Sequence, residues 1–387
     1  MKPLVKPGIE VFLEKYVHQY KGKRIGLITN PTGVDSQLRS TADLLHQHPD
    51  IKITALYGPE HGIRGDIFAG DHVETGVDEK TGIPIFSLYG KTRRPTPEML
   101  ENIDVFLFDI QDVGARYYTF VYSMAYAMEA AREKGIEFVI LDRPNPITGN
   151  MMDGPILDPK YSSFIGLYPI PVAHGLTVGE LAMYFNKEFN INCHLTVIPM
   201  EGWNRDMEFS DTGLPWVLTS PMIPQASICW HYVMTGFIGE LLSLSTGVGY
   251  TLPFEVVGAP FVQAEELAEA MNALQLPGVL FRPLTFRPYF FKFTGEPCGG
   301  VQIHITDKKV LRPTAVGFHL FSTLLKLYPD KEIMEVSEER LKMFHQAVGT
   351  DQYDLVFSSS HSMTPVIEQW EQGLTEFNQK RKSYLLY

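Results

Sequence analysis

Four short segments of the chain gather side chains that move protons or grip anions. Tyr57-Gly58-Pro59-Glu60-His61-Gly62-Ile63-Arg64-Gly65-Asp66 places an acid, an imidazole and a guanidinium among three glycines and a proline, a composition that forces tight backbone turns. Gln111-Asp112-Val113-Gly114-Ala115-Arg116-Tyr117-Tyr118-Thr119 supplies a further carboxylate and a second arginine. In Asp142-Arg143-Pro144-Asn145-Pro146 two prolines fix the backbone, so Arg143 and Asn145 are held in place. Asn30-Pro31-Thr32-Gly33 is shorter, and Asn30 serves there either as a turn residue or as a ligand contact. Arg64, Arg116 and Arg143 share one property: their planar donor forks match a carboxylate or phosphate, so the expected substrate carries an anionic group.

Each of these residues also has a plainer reading. The first loop suits ordinary solvated charge. Asp109 and Asp112 suit a helix N-cap and a partner for Arg116. His174, in His174-Gly175-Leu176, suits a packed turn, and Glu255 suits a salt bridge at a domain junction. What favours function is the convergence of four such loops on one edge of one sheet.

That edge follows from the elements between the loops. Short β-rich runs alternate with helical patterns through the first two-thirds of the chain, as in a parallel sheet with crossover helices. Strands are expected at Arg24–Thr29, Ile51–Tyr57, Ile83–Leu88, Val105–Ile110, Phe138–Leu141 and Leu195–Ile198. Helices are expected from Ser36 to His46, from Tyr118 to Lys134 with Gly135 as C-cap, and from Thr177 to about Phe189, where Thr177 and Glu180 form a capping box. All four loops then leave the carboxyl ends of strands, where open parallel sheets bind ligands. Beyond residue 255 strict alternation stops; helices are expected at Ala264–Leu274, Ala315–Leu327 and Ser337–Gln346, with a β-like run at Gly300–Ile305. The expected fold class is α/β: a Rossmann-like, mostly parallel sheet with flanking helices over residues 1–255, and a smaller α+β domain over residues 256–387.

Composition narrows the partners. A net charge of −12 over 387 residues argues against a nucleic-acid or membrane-surface partner. No stretch reaches the apolar length of a membrane span. Cys193, Cys229 and Cys298 form neither a CxxC pair nor an even disulfide set. The amino-terminal residues contain no apolar h-region, so the chain is expected in the cytoplasm, or in the periplasm or outside the cell if processed. Dinucleotide, Walker A, serine-elbow and HExxH motifs are absent. A metal site from Glu60, His61, Asp66, Asp71 and His72 matches no common spacing, and no metal or cofactor is expected.

Several of these stretches together resemble the DUF1343 family: Tyr57–Gly65, Gln111–Thr119, Leu141–Pro146, His174–Leu181, Pro253–Pro260 and the terminal Tyr384-Leu385-Leu386-Tyr387. That family includes exo-β-N-acetylmuramidases of bacterial cell-wall recycling. The resemblance implies a Rossmann-like catalytic domain, an auxiliary carboxyl-terminal domain, and release of N-acetylmuramic acid from non-reducing ends of peptidoglycan fragments. It puts the catalytic glutamate at Glu60. His61 and Asp112 are the other candidate catalytic groups, Asp112 to steady an acetamido nitrogen or activate water. Candidate substrate contacts are Asn30, Arg64, Gln111, Arg116 and Tyr117, with Arg143, Asn145, His174 and Glu255. The sugar's lactyl carboxylate accounts for arginine in an acidic protein. A non-catalytic binder of anionic sugars and a metal-dependent hydrolase are the alternatives.

Overall fold

A computed structural model of the chain describes residues 4–60, 62–65, 76–90, 92–352 and 363–387. Its main sheet has seven strands: β1 (Arg24–Thr29), β2 (Lys52–Gly58), β3 (Gly76–Val77), β4 (Pro84–Ser87), β5 (Val105–Asp109), β6 (Glu137–Leu141) and β7 (Leu195–Ile198). They lie in the order β3-β4-β2-β1-β5-β6-β7, parallel throughout except for the antiparallel edge strand β3. From β1 the chain winds outward through β2 and β4, then returns to build β5, β6 and β7 on the other side. The switch point of this α/β sheet therefore lies between β1 and β5.

Side-chain alternation explains why both faces must be covered. Val105, Leu107, Val139 and Leu141 point to one face with Ile25 and Leu27, under α1 (Gly8–Val11), its helical continuation to Tyr20, and α2 (Thr41–Gln47). Phe106, Phe108, Phe138 and Ile140 point to the other, against α3 (Phe120–Lys134) and α4 (Val178–Glu188). Fully burying each such side chain is worth about 1.5–3 kcal/mol. Gly135 ends α3 at φ 68, and Thr177 and Glu180 close their capping box at the start of α4.

Two helices depart from expectation for physical reasons. The helix expected from Ser36 starts only at Thr41, because Asp35 Oδ1 accepts the backbone N–H of Gln37 and of Arg39 at 2.9 and 2.8 Å, and Leu38 takes a left-handed φ of 63. Side-chain capping of this kind competes with helical hydrogen bonds. Conversely, α5 (Ile228–Gly239) gives no helical periodicity in sequence. It is buried almost all round, and a helix apolar on every side has no stripe to detect.

Helix α5 follows the seven-stranded sheet in the chain. It packs on α7 (Pro313–Leu327) and α8 (Glu338–Val348), ahead of residue 256. A three-stranded antiparallel sheet follows, with β10 (Cys298–Ile305) between β8 (Val256–Ala259) and β9 (Val279–Phe286), covered by α6 (Ala264–Ala273). The final helix, α9 (Thr364–Arg381), returns the chain to the first sheet. There Tyr387 donates its hydroxyl to Asp142 Oδ2 at 2.7 Å and accepts the Met200 N–H at 2.8 Å. Among the described residues, no helix is long and apolar enough to cross a membrane.

Candidate active site

Glu60 leaves the carboxyl end of β2 two residues after the strand and turns toward the start of α3. Its Oε2 accepts the Thr119 hydroxyl at 2.9 Å, and Thr119 immediately precedes that helix. Three tyrosines feel the charge of this carboxylate. Burial, then the charge of Glu60 and a hydrogen bond to it, push the Tyr89 phenol far above its ordinary value. Burial does the same for Tyr118 and Tyr232, and Glu60 adds in the same direction at both. All three phenols therefore stay protonated and able to donate. The rings of Tyr118 and Tyr232 belong to one continuous row: Tyr118 meets Tyr232 edge-on at 5.7 Å and Phe120 at 4.9 Å, and Tyr232 meets Phe254 at 4.9 Å. A partly exposed carboxylate against aromatic faces suits a sugar, whose C–H surface packs on rings while its hydroxyls take hydrogen bonds.

The charge of Asp112 also raises the Tyr118 phenol. Its Oδ2 accepts the Gly114 N–H at 2.8 Å and lies 3.5 Å from His174 Nε2. His174 Nδ1 accepts the Leu176 N–H at 3.2 Å, which leaves the ring proton on Nε2, facing Asp112. Asp112 Oδ1 is buried without a hydrogen-bond partner among the described residues. An orphaned carboxylate oxygen is rare in a folded interior and marks a position where a further donor belongs.

The other sequence-derived candidates mostly bind protein. Arg143 sends Nε and Nη2 to the two oxygens of Asp109 at 2.5 and 2.9 Å, and Nη2 also reaches the Val34 carbonyl. Asn30 Oδ1 accepts from the backbone and hydroxyl of Thr32, as an Asx turn does. Gln111 Nε2 donates to the carbonyls of Asp112 and Pro144, and Asn145 Nδ2 to that of Leu176. These bonds sew together the loops after β1, β5 and β6. A Cβ on Gly33 would lie 2.1 Å from Thr29 Oγ1 and 2.8 Å from the Asp109 carbonyl, so glycine lets the loops close. The switch-point crevice, lined by Thr32, Gln111 and Arg143, keeps about 10 Å³, room for one water.

Arg116 is wholly buried. Nη1 donates to the carbonyls of Pro155 and Ile170, and Nη2 to those of Ala347 and Val348, at 2.7–3.0 Å. Burial lowers its pKa to about 10. Arg64 forks onto Asp78 at 3.0 and 2.9 Å and reaches Asp43 at 3.3 Å. The expected anion-binding forks of residues 64, 116 and 143 are thus occupied by carboxylates and carbonyls of the protein itself. Tyr117 is equally committed, donating to the carbonyls of Tyr232 and Val233. Glu255 is half-buried, which pushes its carboxyl up, and it forms no ion pair among the described residues. His61, Asp66, Asp71 and His72 lie outside the described residues. Among those described, no cluster of three or more His, Cys, Asp or Glu is placed to hold a metal.

Sequence reasoning missed Thr119, Tyr89, Tyr118 and Tyr232. Tyr118 and Thr119 stood in a motif already singled out, but nothing in it shows which of two adjacent tyrosines faces the acid.

Similarity to known proteins extends over nearly the whole chain. Residues 25–227 match the family model described as exo-β-N-acetylmuramidase NamZ, N-terminal, and residues 230–387 match its C-terminal counterpart. The peptidoglycan β-N-acetylmuramidase NamZ of Bacillus subtilis (strain 168) is 51% identical over 387 residues, covering 100% of this chain and 92% of that protein. Two crystal structures of DUF1343 family proteins from Bacteroides fragilis NCTC 9343 superpose on it. One has a TM-score of 0.95 at 43% identity, covering 100% of both chains; the other has 0.80 at 29%, covering 99% of both. On the strength of both family models, the full-length relative and these folds, the chain belongs to the NamZ exo-β-N-acetylmuramidase family.

Proposed function

We propose that this protein is an exo-acting glycoside hydrolase that releases N-acetylmuramic acid from non-reducing ends of peptidoglycan fragments, with Glu60 as general acid/base. The observation that carries the reading is the Glu60 carboxylate, held by the Thr119 hydroxyl among protonated tyrosines, in a chain of this family. In such a reaction a carboxylic acid protonates the leaving glycosidic oxygen, and its conjugate base then takes a proton from the attacking water. Tyr89 and Tyr118 donate to the sugar or to the shifting charge on Glu60. Asp112 with His174 is the candidate second group. The orphaned Oδ1 suits an acetamido N–H, which would align the acetamido oxygen behind the anomeric carbon, or a water to be activated. Arg64, Arg116 and Arg143, with Asn30, Gln111, Tyr117 and Asn145, hold the loops that carry these groups. In this reading the chain divides into a catalytic sheet and an auxiliary carboxyl-terminal unit, and the substrate is its partner.

The test is hydrolysis of a chromogenic β-N-acetylmuraminide by the protein and by Glu60→Gln. Turnover is expected to fall at least about a hundredfold in the variant. An undiminished rate would remove Glu60 from the chemistry.

A further inference from the structure

With the forks of residues 64, 116 and 143 occupied, the carboxylate that distinguishes a muramic acid from a glucosamine needs another cation. Arg93 is exposed, and it forms no ion pair and no hydrogen bond among the described residues. Its neighbour Arg94 is tied to Glu133 on α3 at 2.7 Å. The Arg93 guanidinium instead lies over the Phe164 ring, 4.2 Å from its centroid. Phe164 is buried, stacks on Tyr126 at 6.1 Å with an interplanar angle of 4°, and stands 6.3 Å from the ring of Tyr89. Tyr89 in turn hydrogen-bonds Glu60. One aromatic row therefore links a cation with open donors to the proposed catalytic acid.

We propose that Arg93, laid on Phe164 beside Tyr89, is the subsite that recognises the substrate's carboxylate, an inference that rests on the glycosidase reading above. A guanidinium stacked face-on keeps its N–H edge free for a bidentate carboxylate, and stacking limits the rotamer freedom lost on binding. The lactyl arm and the bond to be cut belong to the same sugar ring, so the cation and the acid must lie within one pyranose of each other. The Phe164–Tyr89 row joins the two through adjacent rings. Arg93 touches neither the leaving oxygen nor the anomeric carbon; it sets specificity.

The experiment compares a chromogenic β-N-acetylmuraminide with its lactyl methyl ester, which keeps the shape and loses the charge. Arg93→Ala is expected to lower kcat/KM on the free acid by about ten- to a hundredfold, mainly through KM, and to lower it less on the ester. The preference for acid over ester then collapses, and Arg93→Lys restores part of it. Equal losses on both substrates, or none on the acid, overturn the proposal. Should the parent protein cleave neither compound, the glycosidase reading fails separately. Calorimetric titration with free N-acetylmuramic acid and N-acetylglucosamine then decides the subsite. Acid-selective binding that Arg93→Ala abolishes supports it; binding unchanged by Arg93→Ala, or no selectivity in the parent, overturns it.

Discussion

Two regions at the carboxyl edge of the same sheet treat charge in opposite ways. At the switch point, Arg143 and Asp109 are buried and paired on two bonds, with Thr41 and the Val34 carbonyl taking further capacity. One strand over, Glu60 stays partly exposed, accepts the Thr119 hydroxyl and hydrogen-bonds Tyr89. The difference teaches where chemistry can reside. A carboxylate locked on a guanidinium cannot trade its proton, whereas one held by neutral donors can. In this protein the crevice that related sheets give to a ligand is filled with structural bonds, and the function proposed above puts the chemistry outward, after β2.

The sharpest way to break this contrast is to remove each anchor in turn. Arg143→Ala leaves Asp109 buried without its partner and is expected to cost about 3–5 kcal/mol in denaturant unfolding. Replacing both residues with apolar ones of similar volume should recover much of that loss. Glu60→Gln is expected to do the reverse: at least about a hundredfold less turnover, with unfolding free energy within about 0.5 kcal/mol of the parent. If Arg143→Ala proves benign to the fold, or Glu60→Gln unfolds it, the division of labour is refuted.

Asp142 sharpens the comparison through pH. Burial pushes its carboxyl up to about 6, against an ordinary 3.8, even though Gly179, Thr177 and Tyr387 donate to it. The folded protein holds this proton to about pH 6, while the unfolded chain has released it near 3.8. Stability from this group is therefore full at lower pH and declines as pH rises through that window, by about 1.4 kcal/mol per unit. Asp142→Asn carries no such proton, so its stability deficit against the parent should shrink between about pH 4 and pH 6. A deficit independent of pH would show that the carboxyl is already ionised when buried. The smallest effect is expected at Tyr387→Phe, about 1–2 kcal/mol for the bonds to Asp142 and Met200, read as a shift in the denaturation midpoint.

How much of this could be read from sequence depended on the range of the interaction. Strands such as Val105–Asp109 declare themselves because both faces are buried and every residue is apolar until the last. The Thr177–Glu180 capping box is legible because it is complete within four residues. The loop Asp35–Ser40 misled because helical spacing outweighed one aspartate that takes two backbone N–H groups. The residue types of the site were legible and their destinations were not. Arg116 looks the same in sequence whether it meets a ligand or carbonyls 231 residues away. Arg93 went unnoticed because its partner, Phe164, lies on a distant loop.

That long reach of Arg116 has a consequence for assembly. While the chain is being made, the first sheet can form before residues 347 and 348 exist, but the guanidinium then has only two of its four acceptors. A half-satisfied cation in an apolar interior is costly, so the sheet should remain loose until α8 arrives. Gly349 guards the same junction, since a Cβ there would stand 2.4 Å from Arg116 Nη2. Late synthesis thus completes early structure, and the sheet and α8 should melt together.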